Sequence, residues 1–107
     1  MSSAEDRMEK KILTFLANSP RREYSFESLY SNLQRPPPTT LAAGLAHLTT
    51  TGKIRRLYRV ISPDTGIGIG DFQSIFDVPD NIYDDTSGHV VTVDPEKNLK
   101  ILYRGEE

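Results

Sequence analysis

Two histidines, fifteen acidic residues and no cysteine are the material for chemistry in this chain of 107 residues. His47 and His89 belong to different predicted elements, and isolated histidines of this kind read as packed or surface residues rather than ligands. Ser87-Gly88-His89 sets a hydroxyl beside an imidazole, but no nucleophile elbow or oxyanion framework accompanies it, so it reads as a turn. Gly66-x-Gly68-x-Gly70 lacks both the spacing and the strand, turn and long-helix setting of a dinucleotide fingerprint, and reads as a flexible connector. The Asp-x-x-x-Gly fragments of the second half lack the spaced oxygen ligands and terminal Glu of a calcium loop. Without cysteine there is no disulfide framework, thiolate zinc site or cysteine nucleophile. No residue set converges on a reaction, and the expectation is a protein that is not an enzyme and carries no metal or cofactor.

The cations carry more information. The net charge of -2 conceals a division: through Val60 ten Lys and Arg face five acids, giving +5, and from Ile61 onward three cations face ten acids, giving -7. A basic half suits a polyanionic partner, and the acidic half then has another task. Seven cations bracket one stretch of chain: Arg21, Arg22 and Arg35 precede it, and Lys53, Arg55, Arg56 and Arg59 follow. Basic side chains so grouped hold phosphates.

The elements that must position them can be read from periodicity. Met8, Ile12, Phe15 and Leu16 recur at helical spacing over residues 4–18, with Leu13 beside them, and Asn18-Ser19-Pro20 should stop that helix. Ser25 is an N-cap for a second helix whose stripe is Phe26, Leu29, Tyr30 and Leu33, ended before Pro36. Pro36-Pro37-Pro38 leads into a third helix reaching about Thr50, with Leu41, Leu45 and Leu48 inward. Gly44 allows close approach of another helix, and Gly52 sits where a left-handed cap belongs. Residues 54–61 read as a strand. Residues 62–66 form a turn, 66–70 a loop, and 71–76 one helical turn ended by Val78-Pro79. Ile82-Tyr83 and His89 to Val93 read as two short strands, 94–98 as a turn, and Leu99 to Tyr103 as a last strand with Leu99, Ile101 and Tyr103 on one face.

Hydrophobic residues at 36% and charged residues at 26% suit one folded domain with a modest core. The longest apolar run, Leu41 to Ala46, is far shorter than a membrane-spanning helix requires. The first residues include Glu5 and Asp6 and no apolar stretch, so no signal peptide is read, and a cytoplasmic location is expected.

Three helices followed by strands, with Thr40-Leu41-x-x-x-Leu45-x-x-Leu48-x-x-x-Gly52-x-Ile54-x-Arg56, resemble the winged helix-turn-helix superfamily. The resemblance covers residues 5–61 and the last strand. It implies an α+β fold in which the third helix is the recognition helix and the strands after it form a wing. The whole chain is then a single winged helix domain. Its core and first wing strand span 4–61, an acidic wing insertion 62–98, and the returning strand 99–104. About 37 residues between the wing arms exceed what a wing needs, so an extra hairpin is expected there.

If the three leucines of the third helix point inward, Thr39, Ala43, Ala46 and Thr50 point outward, with Thr40, Ala42 and His47 at the borders. That face is small and uncharged, and the helix contains no arginine for guanine. The resemblance therefore implies a small DNA-binding protein, a transcriptional regulator, that holds duplex backbone with flanking cations. Its expected DNA-binding residues are Arg21, Arg22, Arg35, Thr39, Thr40, Ala43, His47, Lys53, Arg55, Arg56 and Arg59. Homodimerisation through the first helix or the insertion would supplement the affinity of one domain. The alternative is a protein-interaction adaptor that docks partners through the uncharged helix face or through the acidic insertion. In that insertion Asp71, Asp77, Asp80, Asp84, Asp85, Asp94 and Glu96 could instead fold over this protein's own arginines. Taken singly, each of these carboxylates reads as solvated.

Overall fold

The computed structural model describes residues 3–19 and 22–106 and has an α+β architecture of three helices and a small antiparallel sheet. The elements in order are α1 (Ala4–Ala17), β1 (Tyr24–Ser25), α2 (Phe26–Asn32), α3 (Pro38–Thr50), β2 (Ile54–Ile61), β3 (Gly68–Phe72), a 3-10 turn (Ile75–Asp77), β4 (Asn81–Asp84), β5 (His89–Thr92) and β6 (Leu99–Gly105). The larger sheet has the strand order β1-β6-β2-β3, and β4 pairs with β5 as a separate hairpin. The chain forms two compact units, one containing the residues up to Arg56 and those from Tyr103 on, the other Leu57–Leu102. Strands β2 and β6 each leave one unit and enter the other partway along their length.

In the first unit, α1 begins with a capping box: the Asp6 amide donates to Ser3 Oγ at 3.1 Å, and the Ser3 amide donates back to Asp6 Oδ2 at 3.4 Å. Met8, Ile12 and Leu16 are buried, and Leu13 and Phe15 pack against them from the flanks. The helix ends at Ala17 with Asn18 as C-cap; the Pro20 stop signal lies outside the described residues. Ser25 caps α2 as its position suggests, accepting from the Ser28 amide at 3.1 Å. Leu29 of α2 and the α3 row of Leu41, Leu45 and Leu48 are sealed from solvent, each contributing roughly 1.5–3 kcal/mol of apolar burial. Gly44 sits within that row. A Cβ there would lie 3.2 Å from Ile12 Cδ1 and 3.5 Å from Met8 Cγ, so the missing side chain lets α3 settle against α1.

Two helices end in the same way with different residues. At α3 the Lys53 amide reaches back to the Leu48 carbonyl at 2.9 Å and the Gly52 amide to Thr49 at 3.1 Å, with Gly52 left-handed at φ 77. At α2 the Arg35 amide donates to the Tyr30 carbonyl at 2.8 Å and the Gln34 amide to Ser31 at 3.4 Å. Both are Schellman closures of orphan carbonyls. The one after α2, however, places two residues with side chains, Gln34 at φ 66 and Arg35 at φ 52, in the left-handed region. That geometry costs such residues roughly 1–2 kcal/mol.

In the second unit β2 and β3 are antiparallel, with Tyr58 opposite Phe72, Arg59 opposite Asp71 and Val60 opposite Gly70, and the register slips between Val60 and Ile61. Residues 68–70 are therefore strand where a loop was expected, and the helical turn expected over 71–76 contracts to Ile75–Asp77. Because β3 runs on through Phe72, the helical turn begins later. The glycines explain the strand: a Cβ on Gly68 would lie 2.9 Å from Arg59 Cδ, and one on Gly70 2.8 Å from Ile82 Cδ1. They are bare strand positions over which neighbouring side chains lie, not flexible joints. The expected extra hairpin is β4-β5, with Ile82 opposite Val91 and Tyr83 opposite Val90.

Strand β6 carries Leu99, Ile101 and Tyr103 at alternate positions, as expected of one face, but its burial does not alternate: Ile101 is exposed, while the consecutive Leu102 and Tyr103 are both buried. Leu102 belongs to the second unit and Tyr103 to the core of the first, so both faces of the strand are used where it changes unit.

Relieving the left-handed strain at Gln34 should stabilise the first unit. Gln34→Gly is expected to gain about 1 kcal/mol in urea unfolding, and Gly52→Ala, which meets no steric obstacle, to lose about as much. Equal unfolding midpoints for both variants and the wild type would show that the two caps are unstrained.

Candidate nucleic-acid interface

Burial of the leucine row decides what α3 shows to water. Thr39, Ala42, Ala43, Ala46, His47 and Thr50 are exposed and fall at successive helical intervals on one stripe, and Thr40 is half-buried beside it. Thr49, Thr50 and Thr51 each turn a hydroxyl onto the carbonyl four residues back, at 2.7, 2.9 and 2.9 Å. These bonds satisfy the last turn of the helix and commit the Thr50 proton, so Thr39 is the hydroxyl on the stripe that keeps its donor. His47 Nδ1 lies 2.7 Å from Glu9 Oε1, which ties the imidazole to α1.

Chain neighbours of the helix supply two exposed cations. Arg35 stands in the turn before α3 and Lys53 directly after its cap; among the described residues neither has a carboxylate partner. The remaining candidates are more occupied. The Arg22 guanidinium lies 5.5 Å over the ring of Tyr24. Arg55 Nη2 donates to Glu106 Oε1 at 3.1 Å in a half-exposed pair of the kind worth about 0–1 kcal/mol, weak enough for a phosphate to displace. Arg56 leaves β2 on the opposite side from Arg55, as strand alternation requires, and its guanidinium sits 5.4 Å over the buried Tyr103 ring. Arg21 lies outside the described residues.

Arg59 is in the second unit. Its Nε and Nη2 grip both oxygens of the cross-strand Asp71 at 2.7 and 2.9 Å, a bidentate pair that opposes any other use of this guanidinium. Asp71 is thus one acidic residue that folds onto an arginine of its own chain.

A second carboxylate departs further from the solvated reading. Asp84 is fully buried at the end of β4. Its Oδ2 accepts from Ser62 Oγ at 2.5 Å and Ser87 Oγ at 2.8 Å; its Oδ1 accepts from the Thr86 amide at 2.9 Å and from the Thr86 hydroxyl. Ser62 Oγ in turn accepts from the amides of Asp64 and Thr65 at 3.3 Å each. One charge therefore organises both the turn after β2 and the turn between β4 and β5. Ser87 and Gly88 belong to that second turn, His89 opens β5, and the His89 ring faces Asp64, 3.3 Å away. The hydroxyl of Ser62 first, then those of Thr86 and Ser87, holds the Asp84 carboxyl well below the usual carboxylate range, against the opposing effect of burial. The only signal for this network in the sequence was a density of Ser, Thr and Asp that marks turns in general.

Among the described residues no group of His, Asp and Glu is placed to hold a metal ion, and no helix is long and apolar enough to cross a membrane.

Because folding depresses the Asp84 pKa, its stabilisation is complete above the unfolded value near 4 and declines as pH falls below it. Thermal melts should therefore show wild-type stability falling below about pH 4. Asp84→Asn should be less stable at neutral pH and have a flatter acid limb; parallel acid limbs would remove Asp84 from this role. Compared with known proteins, the chain matches no family model, no curated protein and no solved structure.

Proposed function

We propose that the chain is a winged helix-turn-helix protein that binds duplex DNA through α3 and acts as a transcriptional regulator. The order of three helices and strands, with β6 lying between β1 and β2, supports the winged helix reading. The observation that carries the functional reading is the exposed stripe of Thr39, Ala42, Ala43 and Ala46, with Arg35 before it and Lys53 after it. Small side chains let a helix enter the major groove deeply, where methyl groups and the Thr39 hydroxyl touch base edges, and the two cations hold phosphates. Arg55 joins them by exchanging Glu106 for a phosphate. Without an arginine on the stripe itself, most of the affinity is electrostatic and the sequence preference modest.

A second reading has its own support. A helix face of alanine and threonine also suits a protein partner, and the carboxylate engagement of Arg55 and Arg59 reduces the charge offered to DNA. On that reading the protein is an interaction adaptor.

Fluorescence polarisation with mixed-sequence duplex at two ionic strengths separates the two. DNA binding requires affinity that falls steeply with salt. Arg35→Ala and Lys53→Ala should each weaken binding and reduce the salt slope by about 1, and Ala43→Glu should abolish it. Absence of binding at low salt, or slopes unmoved by both alanine variants, would favour the adaptor.

A further inference from the structure

Within the first unit, α1 and the end of α2 border an open groove of about 600 Å³. Phe15 and Leu33, half-buried against the core, supply its apolar lining, and Phe15 is braced edge-on against Tyr24 with ring centroids 4.9 Å apart. Arg7, Lys10 and Lys11 line it from the exposed side of α1, and among the described residues none of them has a carboxylate partner. The groove thus asks for a ligand that is apolar at its centre and anionic at its edges.

The chain itself carries a segment of that description. The 3-10 turn at Ile75–Asp77 is held by Ser74 Oγ, which accepts from the Phe76 amide at 3.2 Å. It presents Phe76 at 94% exposure, with Ile75 also exposed. Asp77 follows Phe76 directly and Asp80 lies three residues further along, both exposed. A phenylalanine left this bare on a fixed turn is an anchor without a pocket, and its acidic flanks match the groove's three cations.

We propose that copies of the chain associate head to tail, the Phe76 turn of one seated in the α1 groove of the next. Phe76 covers Phe15 and Leu33, while Asp77 and Asp80 face Lys10, Lys11 and Arg7. The contact is heterologous: each copy offers both a turn and a groove, so assembly proceeds beyond a dimer unless rotation closes a ring. It is small and charge-rimmed, which makes it weak, concentration-dependent and sensitive to salt.

Sedimentation velocity over a range of concentrations at low ionic strength tests this. The wild-type mass should rise with concentration, and added salt should reverse the rise. Phe76→Ala should remain monomeric, as should the double variants Lys10→Glu with Lys11→Glu and Asp77→Lys with Asp80→Lys. All of these changes are at exposed positions, so circular dichroism should report an unchanged fold. Mixing the two charge-reversed variants should restore association, since each then meets a complementary partner at both of its surfaces. A wild type that stays monomeric up to its solubility limit overturns the proposal and leaves the groove to another occupant, such as an acidic peptide of a different protein. Association that survives Phe76→Ala, or that the mixture fails to restore, overturns it equally.

Discussion

Close contact between α3 and α1 is the constraint on which the first unit depends. Gly44 removes a side chain where the two helices meet, and Ile12 and Met8 occupy the space. With α3 held there, Leu41, Leu45 and Leu48 all reach the core, and the helix has no rotational freedom left. The outward stripe of Thr39, Ala42, Ala43, Ala46, His47 and Thr50 follows from that rotation and from no other feature. Both ends of α3 are then fixed by backbone: the left-handed pair Gln34 and Arg35 turns the chain in, and Gly52 turns it out. The same two turns set the cations Arg35 and Lys53 beside the ends of the helix.

The second unit is organised differently. It contains few large buried side chains, and Leu57, Val60, Val91 and Leu102 are its buried apolar residues. A buried carboxylate does what a larger core would otherwise do: Asp84 gathers hydroxyls from Ser62, Thr86 and Ser87 and so joins two turns that are 22 residues apart in sequence. Such a network is stable only when complete, because each donor left without its acceptor would be a buried polar group without compensation. The Arg59-Asp71 pair adds a second charge-assisted fastening, between β2 and β3.

These arrangements account for much of the charge asymmetry seen along the chain. Part of the acidic half is engaged within the chain: Asp84 is enclosed and the half-exposed Asp71 holds Arg59. Part of the basic half is similarly engaged, with Arg55 on Glu106, Arg22 over Tyr24 and Arg56 over Tyr103. Of the other described cations in the basic half, Arg35 and Lys53 stand exposed at the ends of α3 and Arg7, Lys10 and Lys11 on the outer side of α1, none of them with a carboxylate partner among the described residues. On the acidic side Asp77 and Asp80 remain beside Phe76. Charge counted along the sequence overstates what the surface can offer, because a cation and an acid distant in sequence can neutralise each other once folded.

The helices were legible from the amino-acid order alone. Spacing of Met8, Ile12 and Leu16 and of Leu41, Leu45 and Leu48 follows the helical period whatever the surroundings, and Ser25 and Gly52 act through their own local backbone. The β4-β5 hairpin was legible too, since turn residues between β-prone runs act locally. Hidden from the sequence were the glycine-bearing strand β3, the two-sided burial of β6, the seat of Arg56 over Tyr103 and the enclosure of Asp84. Each of these depends on a partner far away in the chain: Ile82 over Gly70, a change of unit between Leu102 and Tyr103, Tyr103 beneath Arg56, and Ser62 against Asp84. Local periodicity records which face a residue occupies on its own element; only tertiary structure supplies the distant group that turns a glycine into a packing surface or a carboxylate into a buried anchor.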